Sequence, residues 1–189
     1  MTAQVFVSGT WSAAKAAAYE GQAVALGQRL AEDQYDLVCG PGTGIARHVI
    51  DGYRQRRSRG GVKYYLPLLS EMRAVGEEIL PGADQVVQTE FDYPMRNVFQ
   101  VKQCDGLFVL TGGDGTLEEI LPALIDYQMP VAIVRGAGSA ALAVERLLDI
   151  YEAWRPLVTL GNSVSEIYAE WHGAVQLRAS SGAKGSAEP

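Results

Sequence analysis

Glu118 and Glu119 stand near the end of TGGDGTLEEI, residues 111–120, which follows an apolar run, CDGLFVL, and precedes LPALIDY. Glycines leave backbone N–H groups open to close approach, and the first turn of a helix presents several unpaired amide donors with a partial positive charge. GGDGT ahead of a helix is therefore suited to receive a phosphate, with the Thr116 hydroxyl as a further donor. A carboxylate held just beyond it could act on whatever the phosphate carries. The same residues support a second reading. Thr116-x-x-Glu119 matches a capping box, in which Thr116 caps the helix and Glu119 bonds back to the cap amide, the cap being worth about 1 kcal/mol.

Arg96, in YPMRNVFQVKQCDG, lies on a segment of helical spacing that leads into the strand feeding TGGDGT. Near the rim it would pair with a carboxylate or a ligand anion; otherwise it is a surface arginine. GPGTG, residues 40–44, misses the dinucleotide fingerprint because Ile45 takes the place of its third glycine, and the chain has no G-x-x-x-x-G-K-[ST] loop. It reads equally as a turn or a ligand loop. Arg54, Arg56, Arg57 and Arg59 close a predicted helix, where cations offset the helix dipole. His48 and His172 have no second ligand at i+3 or i+4, so no metal is expected. Trp11, Trp154 and Trp171 read as core or interface anchors rather than base-stacking platforms.

Alternating elements must position these groups. AQVFVSG (3–9), YDLVC, VKYYLPLL (62–69), DQVVQT (84–89), DGLFVL and PVAIV read as strands. Helical spacing covers 12–32, IARHVIDGYRQRR, 93–104, GTLEEILPALIDYQ, about 138–153 and 162–172. Strands alternating with helices predict a single Rossmann-like α/β domain over residues 1–178, a doubly wound parallel sheet with helices on both faces. Ligands of such sheets sit beyond the carboxyl ends of the strands, so the loops SGT (8–10), GPGTG and GGDGT are expected along one rim. ASSGAKGSAEP, residues 179–189, has small and polar residues only, too little to offset the entropy of ordering, and is expected to be disordered.

Composition narrows the partners. With 48% apolar residues in 189, the chain can bury one sizeable core. Sixteen basic against 22 acidic residues give a net charge of -6, from which a small metabolite rather than nucleic acid is expected. Cys39 and Cys104 form no C-x-x-C pair and read as buried thiols of a reducing compartment. The start MTAQVFVSGT lacks the features of a signal peptide, and no apolar run approaches the roughly 20 residues that span a bilayer. A cytoplasmic protein without membrane contact is expected.

Residues 96–119, RNVFQVKQCDGLFVLTGGDGTLEE, resemble the LONELY GUY phosphoribohydrolases, the lysine decarboxylase-like family, whose signature is an R-K pair, then S-D, then P-G-G-x-G-T-x-E-E. The spacing of Arg96, Asp105 and Glu119 is that of the family, and VFVSGT and CGPGTGIAR extend the likeness more loosely over residues 3–135. The resemblance implies a homodimer that hydrolyses the N-glycosidic bond of a nucleoside 5'-monophosphate, cytokinin-type or other, without metal or cofactor. It makes Arg96 and Glu119 the catalytic pair. Gly112, Gly113, Gly115 and Thr116 would bind the 5'-phosphate, and Ser8, Gly9, Gly42, Thr43, Met95 and Glu118 would complete the substrate site. Three departures from the pattern bear on the chemistry: Asn97 replaces the lysine, Thr111 the proline, and Asp114 adds an anion within the loop. These favour, as alternatives, a non-catalytic nucleotide sensor of the same fold or a kinase of the GGDGT type, in which the aspartate would position phosphates or Mg2+.

Overall fold

The computed structural model describes residues 2–181. Seven parallel strands form one sheet: β1 (Gln4–Gly9), β2 (Asp36–Cys39), β3 (Val62–Leu66), β4 (Gln85–Gln88), β5 (Gly106–Thr111), β6 (Val131–Val134) and β7 (Val158–Gly161). Their order is β4-β3-β2-β1-β5-β6-β7. The chain winds outward from β1 to β4, returns to β5 on the other side of β1, and winds outward again. That reversal opens a crevice at the carboxyl ends of β1 and β5, the place where such sheets bind ligands. The ladder between these two strands is regular from Val5 opposite Gly106 to Ser8 opposite Val109, then shifts so that Gly9 lies opposite Thr111. The irregularity falls at the crevice floor.

Helices cover both faces. α1 (Ala13–Ala16), α2 (Glu20–Glu32), α3 (Ile45–Arg54) and α8 (Val164–Ser181) lie on one side, where Leu26, Leu30, Val49 and Trp171 pack on Val5, Val7 and Phe108. Met72 of the short α4 (Leu69–Val75) joins that core. α5 (Tyr93–Lys102), α6 (Asp114–Ile125) and α7 (Ser139–Leu147) cover the other side, with Val101, Ile120 and Val144 against Phe6, Val109 and Ile133. β5, GLFVLT, is buried at every position, as a central parallel strand with helices on both faces must be.

Three sequence expectations change here. The helix expected over 12–32 is broken by a 3-10 turn at Ala17–Tyr19. A seventh strand, β7, lies between the two last predicted helices. Residues 179–181, assigned to the disordered tail, form the end of α8, and the remainder of that tail lies outside the described residues. Among the described residues no helix is long and apolar enough to cross a membrane.

Candidate functional site

Above the crevice lies a cavity of about 490 Å3. On the β5 side, α6 begins at Gly113 without a side-chain cap. Its first amide bonded back is that of Leu117, to the Gly113 carbonyl at 3.0 Å, which leaves the amides of Asp114, Gly115 and Thr116 to face the cavity end of the helix. Gly113, Gly115 and Thr116 line the cavity. This is the geometry of an anion cradle. Asp114 is exposed on the same turn and also lines the cavity.

Glu119, one turn further along α6, points back to the end of β1. It accepts a short hydrogen bond from the Ser8 hydroxyl and a 3.0 Å bond from the Gln100 amide nitrogen. Neither oxygen is bonded to Thr116, so the capping-box reading of Thr116 and Glu119 does not hold: the cap position belongs to Gly113. Burial pushes the Glu119 carboxyl up to about 7, and the nearby Glu118 charge adds to the rise. The Ser8 hydrogen bond, the Arg96 charge and the Gln100 hydrogen bond oppose that rise without cancelling it. The group is poised near neutrality, where a carboxyl can both take and return a proton.

Arg96 enters from α5, which begins at Asp92, whose carboxylate accepts from the Met95 amide at 2.9 Å, and carries Pro94 in its first turn. The arginine is 6% exposed. Its Nη1 donates to the Tyr65 carbonyl at 3.3 Å and to the Gln100 side-chain oxygen at 3.2 Å, and its guanidinium lies 5.3 Å from the centre of the Tyr93 ring. Its Nε is buried with no hydrogen-bond partner among the described residues. Gln100, fully buried, therefore links the two predicted catalytic residues, receiving from Arg96 and donating to Glu119. On the same helix the Asn97 amide donates to Glu118 at 3.2 Å.

The structure brings Ser8, Gly9, Gly42, Thr43, Arg96, Gly113, Gly115, Thr116, Glu118 and Glu119 to this one cavity. Two expected contacts are elsewhere. Met95 is 54% exposed and does not line the cavity, because its position on α5 turns it outward from the face that carries Arg96 and Gln100. Gly112 lies beneath the cradle: its amide bonds to the Ala137 carbonyl, and a Cβ there would stand 2.0 Å from the Thr116 hydroxyl. Sequence reasoning missed Gln100 and did not place Trp11 at the cavity. The signal for Gln100 was its i+4 spacing from Arg96. Trp11, expected in a core or interface, is 63% exposed and lines the cavity together with Lys15.

No curated protein matches the sequence. Among solved structures the chain is similar to the structural-genomics target TM1055, at 24% identity over 92% of this chain and 99% of that one, with a TM-score of 0.73. It is similar to the Moco carrier protein of Chlamydomonas reinhardtii, at 19% identity, 96% and 99% coverage and a TM-score of 0.71. It also resembles DNA processing protein A from Helicobacter pylori, at 12% identity, 93% and 81% coverage and a TM-score of 0.60. At these identities the likeness establishes the fold. It also corrects the partner expectation, since the last of these proteins has a single-stranded DNA binding mode, so a chain of this fold cannot be separated from nucleic acid by its net charge. The homodimer expected from the resemblance gains no support from these comparisons. The matched family model does not name LONELY GUY: it covers residues 2–156, most of the sequence, and the chain belongs to the SLOG cluster4 family.

Proposed function

We propose that the cavity binds a nucleoside 5'-monophosphate and hydrolyses its N-glycosidic bond, releasing the base and ribose 5-phosphate. The carrying observation is that Arg96 and Glu119 meet in one cavity through Gln100, with Glu119 poised near neutrality beside an uncapped helix end. The phosphate would rest on the first turn of α6, bringing the anomeric carbon toward Glu119. Breaking the bond builds oxocarbenium character on the ribose, which a carboxylate stabilises. Water adds its oxygen to C1' as the C1'–N bond breaks and the electron pair leaves with the base; Glu119 takes the proton from the water and returns it to the base nitrogen. Ser8 and Gln100 hold the carboxyl in place, Arg96 orients through Gln100, and Glu118, held by Asn97, is placed to meet the ribose hydroxyls.

Charge weighs against a highly charged anion more than against a single phosphate. The cavity wall carries Glu77, Asp114, Glu118 and Glu119 against Lys15 and Arg96, a balance that disfavours a polyphosphate by Coulomb repulsion. Against a kinase, the residues after Thr116 complete the same sheet through β6 and β7 rather than building a second domain. A second reading, binding without turnover, is favoured by the internal use of Arg96 and by the Moco carrier protein among the structural neighbours. Incubation with a panel of nucleoside monophosphates, with assay of free base and ribose 5-phosphate, separates the two. Equal release of both products that is lost in Glu119→Gln is expected; saturable binding without base release would establish the second reading. A single-stranded oligonucleotide belongs in the same panel, because one protein of this fold binds that ligand.

A further inference from the structure

Trp11 leaves a large apolar ring in water, at 63% exposure, while the backbone beneath it is held by the loop after β2. The Thr43 hydroxyl donates to the Trp11 carbonyl at 2.6 Å, and the Ile45 amide donates to the Thr10 carbonyl at 3.1 Å. Gly44, at φ +72°, lies so close that a Cβ there would meet the Thr10 carbonyl at 2.2 Å and the Trp11 Cα at 2.9 Å. The next residue, Ser12, caps α1. With the backbone already fixed, only the ring's own rotation has to be ordered when something lies against it, and tryptophan gives the largest flat face of any side chain.

Its place along the rim indicates what that would be. The sheet order β2-β1-β5 puts the α6 cradle on one flank of the crevice and the loop after β2 on the other, with Ser8 of β1 between them. Glu119 is bonded to Ser8, at the centre; Trp11 is tied to Thr43, on the flank opposite the cradle. A phosphorylated sugar seated on α6 with its anomeric carbon at Glu119 directs its anomeric substituent toward Trp11. We infer that Trp11 is the stacking platform for a planar heterocycle on that carbon, and that it sets a preference for an aromatic base over a bare sugar phosphate with little discrimination among bases. This rests on the proposed nucleotide reading.

Calorimetry with formycin 5'-monophosphate, whose carbon–carbon glycosidic bond resists hydrolysis, and with ribose 5-phosphate tests it on the full chain. The wild type is expected to bind the first more tightly by about 5- to 150-fold, the range that one stacked base contributes. Trp11→Ala should abolish that difference and leave ribose 5-phosphate affinity unchanged, while Trp11→Phe should retain most of it. The exposed position lets both variants fold, which circular dichroism checks. Trp11→Ala with unchanged nucleotide affinity, or with an equal loss for both ligands, would overturn the stacking role while the nucleotide reading stands. A wild type that binds neither compound would overturn both.

Discussion

Two glycine-rich loops flank the same crevice, and they use their glycines for opposite ends. GPGTG, after β2, is engaged with its neighbour: the Ile45 amide, the Thr43 hydroxyl and the positive φ of Gly44 all serve to clasp residues 10 and 11. GGDGT, after β5, divides its work. Gly112 is packed under Thr116, but a Cβ on Gly115 would meet nothing within 4 Å, and the first turn has no side-chain cap and lines the cavity. A glycine required because another backbone crowds it and a glycine required because a ligand must approach look the same in sequence. Changes at Gly44 should therefore be read out in stability, and changes at Gly115 and along its helix in function.

The sharpest separation comes from Glu119→Gln. The amide keeps the volume and can still face Ser8 and Gln100, but it cannot take a proton from water, so kcat should fall by about a thousandfold or more while nucleotide affinity changes little. Steady-state kinetics together with calorimetry measure both. A variant that loses affinity in parallel with turnover would place Glu119 with the structural residues and remove the contrast.

On the other loop, Gly44→Ala adds a methyl 2.2 Å from a backbone carbonyl at φ +72°, and a loss of about 2–4 kcal/mol in chemical denaturation is expected. Stability close to wild type would show that the clasp yields easily.

The pH dependence of stability extends the comparison to Glu119. Its carboxyl is raised in the folded state to about 7 from an ordinary value of 4.5, so between those two values the folded chain holds a proton that the unfolded chain has released. Stability contributed by the protonated group is present below the unfolded value and is lost as pH rises through the folded one. The wild type should thus lose up to about 3 kcal/mol relative to Glu119→Gln between pH 5 and 8, measured as the difference in denaturation free energy. A constant difference across that range would mean that the carboxyl titrates normally and is not held away from water.

How much of this could be read beforehand follows the same division. Strong apolar runs announced five of the strands, because a strand buried on both faces has to be apolar throughout; β5 is the clearest case, whereas β4, QVVQ, is an exposed edge strand and α4 was not foreseen. β7 escaped because VTLG is four residues long, half-buried at three of them, and follows Pro156. Arg96 and Glu119 were legible as a pair only through the family likeness, since a salt-bridging arginine and a capping glutamate have the same local spacing. Gln100 carried only the faint signal of its i+4 spacing from Arg96: a neutral amide has no chemistry of its own, and its use lies in joining α5 to α6 across the interior. Gly112 and Met95 were misplaced for a geometric reason, as loop membership does not say whether a residue faces the ligand or the core.

The smallest effect is the one that tests the second loop most directly. At Gly115, already inside the first turn of α6, an alanine meets no atom within 4 Å, so Gly115→Ala should leave the fold intact and add up to about 1 kcal/mol through helix propensity. If the first turn is the phosphate cradle, that methyl stands beside the amides an anion must reach, and ribose 5-phosphate affinity should drop by about tenfold, or about 1.4 kcal/mol. A gain in stability joined to a loss in binding is what an open, ligand-facing glycine requires and a packed one forbids. Unchanged affinity in a folded Gly115→Ala would move the anion away from α6, and with it the alignment that sets Glu119 against the anomeric carbon.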